Sequence, residues 1–534
     1  MRELEKAFRM AKTSAIGSFH LFIGTVLSTV ILAVGTIILG IFIGKTEYGL
    51  YTVALVPVMT LLLFQDWGVS TAMTKYCAEY RGTNEEGDLR KIIKVGLIFE
   101  ITTGIVLTVI SLFTANFIAS TIFGKPETAF LITLVSITIL STSLLAGAKS
   151  IFIGFERMKF NSFTIICSAT LQGVLSPLLV YLGYGALGAV LGYTFSSLIA
   201  AVFAITLLYF AIFKKLPTNT STKLDLSQVL KLLLRFGVPL AVATILTGML
   251  IQFYSFMMAS LVDVTPISNY QIASNFARLL TFFTFPISTV LFPAFSKLDP
   301  RNDLQTLKTV FTSSVKYAAL FLVPATMALM VLSKPIIGTI YGDKWLEAPL
   351  FLAFYVINNL FAVFGNISVY SFLQGIGETN MVMKQNVLTL IIGIPLAFLL
   401  IPPFGIFGVI LGPCLAGKPS LFWGLYWIRK HYKIKIDFKS STKIFMTSAI
   451  AAITTFLILA FLATAEWIRL LIGGTIFLGI FLFAAPLIGA INQTDINNLK
   501  TMFSGLGTIS KLISIPIVLL EKITKAFQAF NKSS

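Results

Sequence analysis

The residues in this sequence best suited to chemistry are five charged side chains within or near the ends of long apolar segments: Arg278, Lys418, Lys316, Asp66 and Glu100. Arg presents a planar fork of N–H donors that fits phosphate oxygens, and Lys presents a compact positive charge. A charge at the centre of a bilayer costs roughly 2.5 to 3.5 kcal/mol on insertion scales, so such a residue usually faces protein or water. The basic members of this set therefore predict an anion-binding site within a membrane.

The three basic residues differ in their depth along the apolar segments. Arg278 and Lys418 lie about halfway along theirs, and we expect both to bind the anionic headgroup of a substrate in a central cavity. A structural pair with a buried carboxylate is the alternative, which we favour less for Arg278 and leave open for Lys418. Lys316 is the third candidate ligand. It lies near the inner end of its segment, where we favour snorkelling of its ammonium to the lipid headgroups over a role as a ligand.

The two acidic residues, Asp66 and Glu100, lie toward the inner ends of their segments. For Asp66 we slightly favour a local cap or pair at the interface. For Glu100, snorkelling or pairing with Lys94 and a polar role inside the membrane remain equally open. Both are candidates for a polar or ion-coupling site in the first half of the chain.

The composition determines the class of protein that positions these charges. Of 534 residues, 56% are hydrophobic and 12% are charged, against about 25% charged in soluble domains. Apolar runs of about 20 residues, long enough to cross a bilayer as a helix, recur along the chain. Within hydrocarbon a helix pairs its own backbone N–H and C=O groups, whereas an open strand edge would leave them unpaired. We predict an all-α polytopic membrane protein with about 14 transmembrane helices, at 16–43, 48–73, 92–118, 127–148, 160–182, 185–212, 236–261, 264–295, 310–333, 348–373, 384–402, 404–428, 443–464 and 468–490.

The basic residues are distributed unequally between the two sides of these spans. Thirty-two of the 40 Lys and Arg residues lie on the side that carries the termini, five lie on the opposite side, and three lie within spans. The positive-inside rule then places both termini in the cytoplasm, and we expect the plasma membrane. Because topology accounts for most of the net charge of +18, no nucleic-acid partner is expected.

Short motifs recur at an offset near 220 residues and indicate an internal repeat. The pattern that opens span six at Gly185, Gly188 and Gly192 returns at Gly405, Gly408 and Gly412 at the start of span twelve. Six spans per repeat predict two parallel six-helix lobes, an arrangement that transporters use. The predicted divisions are 1–215, 216–435, a pair of further spans at 436–491, and a cytoplasmic amphipathic tail at 492–534.

Few residues could support catalysis, a cofactor or a metal. The two histidines, His20 and His431, have no nucleophile or metal ligand at a useful spacing, and the three cysteines are scattered. The sequence therefore predicts no catalytic residues, no cofactor and no metal site.

Three stretches of this sequence resemble the polysaccharide-unit flippases of the multidrug, oligosaccharidyl-lipid and polysaccharide exporter superfamily. The matching stretches are Gln65–Gly68 with Lys75–Gly82, Asn269–Ala273 with Arg278 and Val290–Leu298, and Ile340–Gly342. The resemblance implies a V-shaped pair of lobes and alternating access that moves a polyprenyl- or dolichyl-linked sugar to the outer leaflet. It also implies that cavity cations meet the lipid phosphate or diphosphate, and Arg278 matches that pattern. The charge that members often carry in span seven is absent from Leu250–Ser255.

The leading hypothesis is thus a transporter of lipid-linked oligosaccharide for polysaccharide or glycan biosynthesis, with membrane lipids around it and glycosyltransferases or a polymerase of the same pathway as partners. A cation-coupled multidrug exporter of the same superfamily is the alternative. A membrane scaffold or glycan polymerase is disfavoured, because no large hydrated loop is present.

Overall fold

A computed structural model of the chain describes residues 2–82, 86–216, 225–281, 291, 294–504, 518, 520–523 and 525. In these ranges the regular structure is helical, as the composition predicts. The α-helices are α1 (Arg2–Phe42), α2 (Lys45–Leu62), α3 (Val69–Gly82), α4 (Glu86–Phe117), α5 (Ala129–Gly154), α6 (Met158–Leu179), α7 (Gly185–Ala211), α8 (Leu226–Leu261), α9 (Val264–Ala277), α10 (Leu304–Val331), α11 (Ser333–Tyr341), α12 (Ala348–Val356), α13 (Asn366–Gly375), α14 (Thr379–Phe404), α15 (Ile406–Tyr432), α16 (Phe438–Phe461), α17 (Glu466–Ile488) and α18 (Gln493–Ser504).

The described helices include ten that are long and apolar enough to cross a membrane, or eleven when one bent pair is counted as a single span. The all-α polytopic fold class is confirmed, but the count of fourteen spans is not. One of the ten, Met158–Lys215, contains both α6 and α7, joined through a π-helical turn at Val180–Tyr184. The predicted span 48–73 is divided between α2 and α3.

The predicted span 264–295 is also not one regular helix. It begins as α9 and continues in a 3-10 turn at Arg278–Leu280. Residues 282–290, 292 and 293 of this span lie outside the described part of the chain, as does much of the predicted tail at 492–534.

The chain folds into two compact units. Unit 1 comprises Met1–Gln271 and Ala397–Val409, and unit 2 comprises Ile272–Leu396 and Ile410–Ser534. The predicted divisions 1–215, 216–435, 436–491 and 492–534 stay predictions.

A buried apolar cluster in unit 1 joins α3, α4, α5, α7 and the beginning of α8. Met73, Ile93, Phe152 and Ala201 are fully buried members of it. Small residues such as Ala allow helix backbones to approach closely, which favours helix association where no hydrophobic force drives it.

Unit 2 contains two apolar clusters. One joins α10, α16 and α17 with residues from α18, including Ile496 and Leu499. The other joins α10, α13, α14 and α15 around Phe311 and Phe372, whose ring centroids are 5.2 Å apart. The helix α10 belongs to both clusters and is therefore the central helix of this unit.

Candidate functional site

The first polar group of unit 1 is formed where α2 ends and α3 begins. The intervening backbone takes positive φ at Trp67 (47°) and Gly68 (75°). The Asp66 carboxylate accepts a hydrogen bond from the Ser70 N–H at 2.7 Å and so caps α3. This is the local role that the sequence favoured for Asp66.

Glu100 lies in α4 beside this break and is completely buried. Its carboxyl group accepts a hydrogen bond from the Ser70 hydroxyl at 2.9 Å and lies 3.5 Å from the Gln65 amide nitrogen. The Asp66 carboxyl also interacts with it. Because Glu100 is fully buried and its described contacts exclude Lys94, neither snorkelling nor that predicted pair is present. The break therefore brings two carboxyl groups together inside unit 1.

In unit 2, Lys316 forms a mostly buried ion pair with Asp495. The Lys316 Nζ donates to both Asp495 oxygens at 2.7 and 2.6 Å, and Asp495 also accepts the Asn492 N–H at 2.9 Å. The pair joins α10 to α18, together with Tyr317, whose hydroxyl accepts a hydrogen bond from the Asn498 amide. The ammonium is already neutralised, which argues against the predicted role of Lys316 as a ligand of the substrate headgroup.

Lys418 is in a different environment. It lies in α15 between two prolines, Pro413 and Pro419. Its Nζ donates to the Asn358 side-chain oxygen at 2.6 Å and lies 3.5 Å from the centroid of the Phe361 ring. Both of these groups are uncharged, and the Cys414 side chain is a further hydrogen-bond partner. The described residues provide no carboxylate within ion-pair distance of Lys418. Its positive charge is therefore stabilised but not neutralised.

The amide and the ring that contact Lys418 belong to a broken span. The helix α12 continues into a 3-10 helix at Ile357–Phe364, and the combined segment Ala348–Phe364 is bent by 57° relative to α13. Gly365, with φ of 73°, ends that segment and begins α13. Interrupted helices near the middle of the membrane commonly line substrate sites in transporters, because their polar backbone is tolerated only beside protein or water.

Arg278 also lies at an interruption. It is the first residue of the 3-10 turn after α9, and its side chain is exposed. Within the part of unit 2 that the structure describes, no hydrogen bond or ion pair holds its guanidinium group. Arg278 and Lys418 thus share one unit and lack carboxylate partners there. Their predicted orientation toward a central cavity stays a prediction.

Sequence reasoning missed Asp495, Asn358 and Phe361. Asp495 is 179 residues from Lys316, and it lies in the segment that the sequence predicts to be an amphipathic tail. Asn358 is an ordinary polar residue in an apolar run. The available signal was weak: the adjacent amides Asn358 and Asn359 interrupt that run, but Asn366 and Ser368 do so as well.

Comparison with known sequences identifies two family profiles. The profile described as polysaccharide biosynthesis protein matches residues 14–299, and the MatE profile matches residues 239–399. Similar curated proteins include the lipid II flippase MurJ of Bacillus subtilis, 22% identical over 478 residues, with 82% of this chain and 87% of the relative covered. The lipopolysaccharide biosynthesis protein WzxC of Escherichia coli is 25% identical over 414 residues, with 76% and 78% covered.

Solved structures share the fold at low sequence identity. The inward closed conformation of the lipid II flippase MurJ superposes with a TM-score of 0.70 at 19% identity and covers 88% of this chain and 98% of its own. An inward-facing multidrug resistance MATE transporter of the MOP superfamily gives a TM-score of 0.62 at 16% identity, covering 75% and 94%. These similarities establish the fold.

The break between α2 and α3 gives a prediction about stability. A Cβ atom added to Gly68 would lie 2.1 Å from the Gly237 carbonyl oxygen. We expect Gly68→Ala to lower the free energy of unfolding by about 2 kcal/mol, because it adds this clash to a strained positive φ. The melting temperature in detergent measures it. Gly82→Ala, at the far end of α3 and facing open space, is the control and should change little; equal melting temperatures for the two variants would contradict this reading.

The Lys316–Asp495 pair gives a second prediction. Asp495→Asn should destabilise the protein by about 3 kcal/mol, because it leaves a mostly buried ammonium without its counter-charge. The double variant Lys316→Met/Asp495→Leu should recover much of this loss, since it removes both charges. Glu156→Gln, which breaks the exposed pair with Arg81, should have almost no effect. Thermal unfolding compares the variants, and a double variant no more stable than Asp495→Asn would contradict the ion-pair account.

Proposed function

The chain belongs to the polysaccharide biosynthesis protein family, whose profile matches more than half of its length, and on that premise we propose that it is a flippase for lipid-linked oligosaccharide. It transfers a polyprenyl- or dolichyl-linked sugar, joined through phosphate or diphosphate, from the cytoplasmic to the outer leaflet by alternating access. It is a transporter and not an enzyme. The printed names of the relatives, a lipid II flippase and a lipopolysaccharide biosynthesis protein, support this class of cargo.

The observation that carries the proposal is the environment of Lys418. A neutral amide and an aromatic ring hold its ammonium at a broken span without cancelling its charge. Charge-assisted hydrogen bonds to phosphate are stronger than neutral ones, so a phosphate headgroup supplies what this site lacks. Arg278 provides a second cation whose fork suits two phosphate oxygens.

The proposed orientation places both termini in the cytoplasm of a plasma-membrane protein, as the distribution of basic residues indicates. In this orientation the cargo enters from the side on which lipid-linked sugars are assembled. Glycosyltransferases or a polymerase of the same pathway are the proposed functional partners.

The transport prediction concerns the two cations. In proteoliposomes, Arg278→Ala and Lys418→Ala should each slow flipping of a labelled lipid-linked oligosaccharide about 10- to 100-fold, the equivalent of one charge-assisted hydrogen bond. Arg278→Lys should retain part of the rate because it keeps the charge. Arg301→Ala removes an exposed arginine outside the spans and should leave the rate unchanged. Wild-type flipping by both alanine variants would refute the assigned site.

A cation-coupled multidrug exporter is the second candidate. The MatE profile over residues 239–399 and the carboxyl pair of Asp66 and Glu100 favour it. Expression in a drug-sensitive host discriminates the two functions: a flippase leaves drug resistance unchanged and restores surface glycan to a flippase-deficient strain, whereas an exporter does the reverse.

The carboxyl pair also serves the flippase as a proposed ion-coupling site. Glu100→Gln keeps the size of the side chain and its ability to form hydrogen bonds. It removes the proton that the carboxyl group can bind and release. We therefore expect the variant to lose the acceleration of transport by an imposed pH gradient while it still binds cargo. Glu79→Gln, an exposed glutamate of α3, is the control and should respond as the wild type does. An unchanged gradient response in Glu100→Gln would exclude this role.

A further inference from the structure

A pocket in unit 2 lies where α15 ends and α16 begins, and the transport site does not use it. Its volume is about 470 Å³, which is within the range of small-molecule sites. The inner wall is apolar, formed by buried side chains that include Phe311, Ile428 and Ile434. Tyr426 and Phe438 also line it and are largely exposed, at 62% and 54%.

Two cations, Arg429 and Lys435, line the same pocket. Both side chains are exposed, and no carboxylate pairs with either of them in the part of the chain that the structure describes. The acidic residue of this loop, Asp437, forms hydrogen bonds with Ser440 instead. Its carboxylate accepts from the Ser440 hydroxyl at 2.5 Å and from the Ser440 N–H at 3.2 Å. These bonds hold the pKa of Asp437 below its usual value, and they cap α16.

We propose that this pocket binds an anionic phospholipid of the cytoplasmic leaflet, with the headgroup phosphate between Arg429 and Lys435 and part of an acyl chain against the apolar wall. The loop is at the end of α15 that carries the predicted excess of basic residues. Basic pockets between transmembrane helices on the cytoplasmic side are the kind of site that anionic headgroups occupy.

The lining favours a membrane phospholipid over the glycan cargo. Among the described residues that line it, the Tyr426 phenolic hydroxyl is the one uncharged polar side-chain group, and none is a carboxylate or an amide. A site built for sugar hydroxyl groups needs several polar partners. The polar part is two positive charges and the remainder is apolar, which matches a phosphate joined to an acyl chain. The pocket is therefore a lipid site separate from the Lys418 region.

The test uses purified full-length protein in detergent, titrated with phosphatidylglycerol or phosphatidylcholine and followed by native mass spectrometry. The wild type should bind phosphatidylglycerol about tenfold more tightly than phosphatidylcholine. Arg429→Gln/Lys435→Gln should remove this preference. Lys430→Gln/Lys439→Gln makes the same change of charge at exposed positions on either side of the same loop that do not line the pocket, and it should retain the preference.

A third variant tests the apolar wall. Leu425 lines the pocket, and Leu425→Trp should lower phosphatidylglycerol affinity several-fold by filling the space while both cations remain. Equal losses in the two charge variants, or no loss in Leu425→Trp, would overturn the proposal, because either result indicates binding to surface charge in general. Displacement of phosphatidylglycerol by equimolar polyprenyl phosphate would also overturn it and would assign the pocket to the cargo. Melting temperatures check that each variant is folded.

Discussion

The cost of placing a charge away from water is the constraint on which the arrangement of unit 2 depends. The unit meets this cost in two ways. Lys316 is neutralised by Asp495 through two short hydrogen bonds, so it fixes α18 to α10. Lys418 has no carboxylate partner among the described residues, and an amide oxygen, an aromatic ring and the Cys414 side chain stabilise its charge. The Lys316–Asp495 pair therefore has no net charge, whereas the Lys418 site can still bind an anion.

Apart from the Lys316–Asp495 pair, these polar groups lie at breaks in the helices. Asp66 and Glu100 meet at the irregular backbone between α2 and α3, and the amide and the ring beside Lys418 lie on the 3-10 helix inside a bent span. Arg278 begins a 3-10 turn. Regular transmembrane helices have no free backbone groups, so polar chemistry concentrates where the helix is interrupted.

Composition and the length of the apolar runs were sufficient to predict the class, because long apolar runs permit few alternatives to helices. The family resemblance, based on motifs such as Gln65–Gly68 and Asn269–Ala273, is confirmed. The count of fourteen spans is not, since hydropathy does not register a break such as the one at Trp67 and Gly68. The ion-pair partner of Lys316 and the amide and ring beside Lys418 are distant in sequence and depend on packing, so no local pattern could identify them.

The central claim is that an unneutralised cation site recognises the phosphate of a lipid-linked sugar. The most direct measurement compares wild-type binding of two ligands with the same polyprenyl chain and the same sugar, one joined through diphosphate and the other through an uncharged linker. The account predicts that the diphosphate compound binds at least about tenfold more tightly and that high salt reduces the difference. Equal affinities for the two ligands would contradict it.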